Sequence, residues 1–247
     1  IDASRIDQLV SLKKSSLTNV AIFDGPGANA KTLFNKLKTS KNLTLAHIGT
    51  HDVKDSIIKN FDVVIFPGGS GSKQGRALGP PKREMIRNYV RNGGGLIGIC
   101  AGAYLCSSHY DWSLHMMNAK VFNINVDVPG VGRKSMWFRG PAANVQVEVF
   151  KIGQEKLGIS GAHTVRYQNG PILSPDEYKD VPGYRVLAEF RTENGIYQAQ
   201  EGTMIGAPAV VEATFGSGTV MAFSPHFEST NGLEKVIVNA IQVVRKK

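Results

Sequence analysis

Along the chain, short unbroken apolar runs ended by Gly or Pro alternate with stretches whose apolar positions recur every three or four residues. Residues 19–24 (Asn-Val-Ala-Ile-Phe-Asp) stop at Gly25-Pro26-Gly27-Ala28, and Leu33, Phe34 and Leu37 follow at helical spacing. That order predicts strand, loop, helix. Residues 43–48 predict a second strand, and 61–66 (Phe-Asp-Val-Val-Ile-Phe) a third that ends in Pro67-Gly68-Gly69. Pro80-Pro81 opens a helix with Met85, Ile86, Tyr89 and Val90 on its apolar face, closed by Asn92-Gly93. Residues 96–99 predict a fourth strand, followed at once by Cys100 and the small residues Ala101-Gly102-Ala103.

Strands that alternate with helices through short loops imply an α/β fold with a mostly parallel sheet covered on both faces. In such sheets ligands bind outside the carboxyl ends of the strands, where the Gly-bearing loops at 25–28, 67–71 and 100–102 should gather. From about residue 110 to 216 the pattern turns β-rich, with strands expected at 145–150, 163–167, 184–190 and 207–215. Glu193-Asn194-Gly195 and Gly216-Ser217-Gly218 read as hairpin turns between them. No polar linker sets this region apart, so residues 1–247 are expected to form one domain with a β-rich elaboration. A last strand at 218–223 runs into Ser224-Pro225-His226-Phe227-Glu228. The closing helix should bury Leu233, Val236, Ile237, Ala240, Ile241 and Val244, with Asn231 and Glu234 as a capping box.

Composition changes this picture little. The 247 residues are 42% hydrophobic and 20% charged, as in an ordinary globular protein, and no apolar run has the length of a membrane span. Lys and Arg outnumber Asp and Glu by 29 to 20, a formal charge of +9. These cations are scattered and no nucleic-acid motif surrounds them, which points to a solvated basic surface or a basic mouth to a cleft, not to nucleic acid or membrane as partner. Two cysteines are too few for a disulfide framework, and on one strand-turn-helix unit their side chains should diverge. The chain begins at Ile1 without a methionine, which fits either a cytoplasmic protein given without its start or one exported after loss of a signal peptide.

The chemistry centres on Cys100. A side chain on a tight strand-to-helix turn is presented at the sheet edge beside the positive end of a helix, which favours a thiolate nucleophile. A cysteine after an apolar strand also serves as a small core residue, and the pattern alone leaves both readings open. A thiol nucleophile needs a base and a group that orients the base. Of six histidines, His226 follows a strand directly and has Glu228 two residues on; the alternative is a strand-ending turn with a solvated carboxylate. Backbone N–H groups of Gly68, Gly69 and Ala101 could hold an oxyanion, or the glycines could serve the turn alone. Asp24, Tyr104 and Arg139 complete the candidates as substrate-binding residues, against commoner roles in a turn, in the core and in a surface loop. His109, His115 and His163 lack metal-ligand spacing, so no metal and no cofactor are expected.

Phe66-Pro67-Gly68-Gly69, Gly98-Ile99-Cys100-Ala101-Gly102 and Pro225-His226-Phe227-Glu228 together resemble the class I glutamine amidotransferase superfamily. That resemblance implies a Cys-His-Glu triad on a flavodoxin-like sheet. With Phe23-Asp24-Gly25-Pro26-Gly27-Ala28 and Arg139-Gly140-Pro141-Ala142 added, the chain is similar to the domain at the amino end of some biotin-protein ligases, which also occurs alone. Members that use glutamine carry Cys-x-Gly-x-Gln, whereas here the last place is Tyr104, which predicts another substrate. No ligase catalytic motif and no ammonia-accepting synthetase segment is visible in these residues. The expectation is a cysteine-dependent amide or acyl hydrolase, or an amidotransferase-like protein, acting on a small molecule. The alternative is a non-catalytic small-molecule-binding or regulatory module that keeps the cleft.

Overall fold

The computed structural model describes residues 17–246. Strands β1 (Thr18–Phe23), β2 (Leu43–Ile48), β3 (Val63–Phe66), β4 (Gly95–Ile99) and β13 (Gly218–Phe223) pair in parallel in the order β2-β1-β3-β4-β13. This is the flavodoxin-like order, with its reversal point between β1 and β3. Beyond β13 the same sheet continues antiparallel through β12 (Pro208–Phe215), β11 (Arg185–Phe190), β8 (Ala143–Val149) and β9 (Gly161–Tyr167). The β-rich region thus extends the central sheet to nine strands, with helix α5 (Lys151–Leu157) between β8 and β9, while two short antiparallel pairs, β5 (Ala119–Val121) with β10 (Leu173–Pro175) and β6 (Asn125–Val128) with β7 (Gly132–Ser135), stand outside it.

Both faces are buried, which is why β1, β3 and β4 are apolar without alternation. On one face α1 (Ala30–Leu37) and α6 (Lys235–Val244) pack Leu33, Leu37, Val236, Ile237 and Ile241 against Val20, Ile65 and Ile97. On the other, α2 (Asp55–Ile58), α3 (Gly71–Arg91) and α4 (Ala101–Cys106) cover Ala21, Val64 and Leu96. Each fully buried aliphatic side chain contributes about 1.5–3 kcal/mol, so these layers hold the sheet edge in a fixed place.

Some local details depart from the sequence pattern. The helix expected to open at Pro80 is the second half of α3, whose axis breaks at Gly79 (φ 65°, ψ 167°), so Pro80 and Pro81 sit in the first turn of the new segment where no N–H is needed. Its end is as expected: Gly93 N–H donates to Val90 O at 2.9 Å and Gly94 N–H to Tyr89 O at 3.0 Å, a paired carboxyl-end cap. The Asn231–Glu234 capping box is absent, because Glu234 is helical and turns its carboxylate to Lys36 Nζ at 3.5 Å. Gly216-Ser217 does join β12 and β13 as a two-residue turn, with φ 62° at Gly216. Glu193-Asn194-Gly195 instead belongs to the long connection between β11 and β12, anchored elsewhere as described below.

Candidate active site

Cys100 lies between β4 and α4 with φ 51° and ψ −101°. A non-glycine residue in the positive-φ region costs roughly 1–3 kcal/mol and persists only where its surroundings impose it. Here Cys100 N–H donates to Phe223 O at 2.8 Å, which ties the residue to the end of β13. On the other side α4 presses so closely on β3 that a Cβ on Gly102 would lie 2.0 Å from Phe66 O. The chain has to reverse within one residue. Cys100 ends 7% exposed, whereas Cys106 at the far end of the same helix is fully buried in the opposite core layer. Burial pushes the Cys106 thiol far up; both cysteines are free.

After β13, the His226 backbone is held by β9: its N–H donates to Arg166 O at 2.7 Å, and Thr230 Oγ1–H donates to His226 O at 2.7 Å. The ring Nδ1 lies 2.7 Å from Glu228 Oε1, and Glu228 is itself buried. His226 and Cys100 meet over Gly68, where an added Cβ would stand 3.0 Å from His226 Cε1 and 3.8 Å from Cys100 Cβ. Burial works against a charge on this imidazole, but hydrogen bonds and charge from Cys100 and Glu228 outweigh it and raise the ring to about 10. The cysteine Sγ also lies 3.4 Å from Gln168 O.

The loops after β1 and β3 cross at the reversal point of the strand order. Asn29 N–H donates to Gly68 O at 2.9 Å and Ser70 N–H to Gly27 O at 2.7 Å. Gly69 takes φ 129°, and a Cβ there would strike Gly27 O at 2.1 Å, so no other residue fits this crossing. Gly68, Gly69 and Ala101 line the same cavity as Cys100, His226 and Glu228. Tyr104 lines it too, its hydroxyl donating to Asn169 O at 3.0 Å.

Two sequence candidates are not brought to this cavity. Asp24 is half exposed and pairs with His47 Nδ1 at 3.3 Å. Arg139 is 1% exposed, and its guanidinium donates to Asn194 O, Thr203 Oγ1, Glu193 Oε1 and Gln200 O. Instead of meeting a ligand it clamps the loop between β11 and β12. The Arg139 N–H in turn donates to Asn169 Oδ1 at 2.7 Å, so the clamp reaches the strap of residues 168–170 beside Cys100.

The cavity measures about 710 Å³, in the range of sites for drug-sized ligands. Its wall includes residues that the sequence pattern did not single out: Tyr110, Trp112, Trp137, Phe138, Arg166, Gln168 and Asn169. Tyr110 and Trp112 stack with centroids 4.5 Å apart and planes at 11°. A sequence signal did exist, since Tyr110-x-Trp112 and Trp137-Phe138 are concentrations of large aromatics in otherwise polar loop sequence. Among the described residues no group of three or more His, Cys, Asp or Glu is arranged to hold a metal, and no helix is long and apolar enough to cross a membrane.

Known proteins share this architecture. The chain superposes on a chain of PurLQS from Thermotoga maritima with a TM-score of 0.61 at 14% identity, covering 92% of this chain and 99% of that one. It matches the cytoplasmic protein STM1381 from Salmonella typhimurium LT2 with a TM-score of 0.57 at 16% identity, over 93% and 100% of the two chains. These likenesses show a shared flavodoxin-like fold. The sequence profile described as "Biotin-protein ligase, N terminal" matches residues 18–245, and the chain belongs to that family. A stretch of 89 residues is 30% identical to the lipid II isoglutaminyl synthase (glutamine-hydrolyzing) subunit GatD of Streptococcus pneumoniae (strain ATCC BAA-255 / R6). That match spans 34% of each chain, about a third of the relative's length.

Proposed function

We propose that this chain cleaves an amide through a covalent cysteine thioester, in the manner of an amidotransferase-like hydrolase, and that Cys100, His226 and Glu228 form its triad. The observation that carries the reading is geometric: His226 Nδ1 lies 2.7 Å from the buried Glu228 carboxylate, its ring and Cys100 both border Gly68, and all three residues line one cavity. With the thiol proton taken up by His226, the Cys100 sulfur attacks the carbonyl carbon, and the carbonyl oxygen becomes an oxyanion facing the N–H groups of Gly69 and Ala101, with Gly68 leaving room for the imidazole. Collapse breaks the C–N bond, and His226 gives its proton to the departing nitrogen. Water then attacks the thioester and passes a proton to His226. The C–S bond breaks to release the acid and free the Cys100 sulfur for the next cycle. Glu228 holds the ring in the orientation these transfers need. The 89-residue similarity to a subunit named as glutamine-hydrolyzing supports amide chemistry.

The substrate we infer is not glutamine, because Tyr104 stands where glutamine-using relatives carry Gln and its hydroxyl is engaged by the Asn169 carbonyl. Iodoacetamide at neutral pH, with the label located by mass spectrometry, tests the nucleophile. Cys100 should react far faster than Cys106, and His226→Asn should remove the difference. Equal slow labelling of the two thiols would sink the proposal. Ammonia release from glutamine that disappears in Cys100→Ala would overturn the exclusion of glutamine.

A second reading, a binding or regulatory module without turnover, is favoured by the Cys100 sulfur within reach of Gln168 O, a contact suited to a protonated thiol. Under it, Cys100→Ala keeps ligand affinity and no substrate is turned over by the parent chain.

A further inference from the structure

Resting on the amide-cleaving reading, we infer that the substrate is an N-acylated amino acid: a flat aromatic acyl group joined by the scissile amide to an amine that carries a carboxylate.

At about 710 Å³ the cavity has room for a ligand several times larger than a free amino acid. Trp112 packs over the start of α3, where a Cβ on Gly71 would meet its Cζ3 at 3.1 Å, so the stacked Tyr110–Trp112 pair adjoins the loop that carries Gly69. With the oxygen at Gly69 and Ala101 and the leaving nitrogen at His226, the acyl group takes the remaining direction, and the stacked pair is a flat apolar surface in the cavity to receive it. Trp137 and Phe138, 42% and 41% exposed, extend the aromatic wall. Rings so placed gain most from a planar apolar partner.

Among the described residues that line the cavity, one formal charge stands besides the proposed triad, Arg166. Its carbonyl accepts from His226 N–H at 2.7 Å, so the residue sits beside the group that protonates the leaving amine. Its Nη2 donates to Gln168 Oε1 at 3.0 Å, which restricts the guanidinium to the cavity rim. A guanidinium in that place suits a carboxylate on the leaving group.

Binding is measured by quenching of tryptophan fluorescence in the Cys100→Ala chain, which separates affinity from turnover. The probes are N-(2-naphthoyl)glycine, its neutral carboxamide N-(2-naphthoyl)glycinamide, and glutamine. The naphthoyl carboxylate should bind about tenfold tighter than the carboxamide, as expected for a hydrogen bond to a charged group. Arg166→Gln, at an exposed position, should abolish that preference without weakening the carboxamide. Trp112→Phe should weaken both naphthoyl probes alike. Equal affinity for acid and amide, persistence of the preference in Arg166→Gln, or no binding of either naphthoyl probe would overturn the inference. Binding with the stated preference, but no hydrolysis by the Cys100 chain, would leave this inference standing and remove the amide-cleaving reading instead.

Discussion

At the scale of single residues, His226 couples the site to pH. Its proton is held to about 10 in the folded chain against an ordinary value of 6.5, after burial has opposed the charge and Cys100 and Glu228 have outweighed that opposition. A raised pKa means that the folded state binds the proton more tightly. The stabilisation is therefore fully present below about 6.5 and fades as pH rises toward 10. Urea midpoints of the parent chain and His226→Asn, measured from pH 6 to 10, should converge with rising pH; a constant gap would contradict the charge pair. If the triad turns over, Glu228→Gln should lower kcat, and His226→Asn should lower it by about 10²-fold or more, the usual scale for loss of general acid–base help. Single-turnover assays with a naphthoyl amide would read both.

At the scale of elements, the site depends on two close packings. α4 can follow β4 through a one-residue bend only because Gly102 lets its backbone rest on Phe66 O. Gly102→Ala inserts a methyl into that 2.0 Å gap, and should destabilise the chain by about 1–3 kcal/mol or displace the bend, as chemical denaturation would show. The second packing is the Arg139 clamp. Arg139→Met leaves Glu193 Oε1 and the carbonyls of Asn194 and Gln200 without their cation in a buried setting. Removing one partner of such a pair costs about 3–5 kcal/mol. Because Arg139 N–H also holds Asn169, the strap beside Cys100 should loosen as well. Faster amide hydrogen exchange at residues 168–170 and 193–203 in Arg139→Met would verify this. Unchanged stability would show that the loop stands without the clamp.

At the scale of the whole molecule, a net charge of +9 surrounds a cavity whose rim carries Arg166. Affinity for the naphthoyl carboxylate should fall as salt rises from 0.05 to 0.5 M, in roughly the range where the Debye length shrinks past 10 Å. Affinity for the neutral carboxamide should not. The succession of strands and helices in the parallel half, the Gly-bearing loops and the sequence order Gly-Gly, Cys, His, Glu were legible because each is written locally. Apolar runs buried on both faces need no alternation, and Gly or Pro ends them. Less legible was everything set by contacts distant in sequence. Arg139 looked like a ligand for a carboxylate because a lone Arg before Gly-Pro carries no sign of burial, yet partners 54 to 64 residues away consume its donors. Asp24 looked like a cleft residue because it ends β1; its neighbour across the β1–β2 pair, His47, claims it.

The sequence by itself determined the β/α alternation, the family resemblance and the cysteine at a strand-to-helix bend, since hydrophobic period and turn residues act over a few positions. Only the tertiary structure decided which chemistry that bend faces. The β-rich half adds its strands to the edge of the parallel sheet, and this carries Arg166 and Gln168 to the Cys100 edge from more than sixty residues away along the chain, beside aromatic side chains 10 to 38 residues from Cys100. A strand's register and the far partner of a buried charge depend on the sum of many packed contacts, and no local window of residues contains that sum.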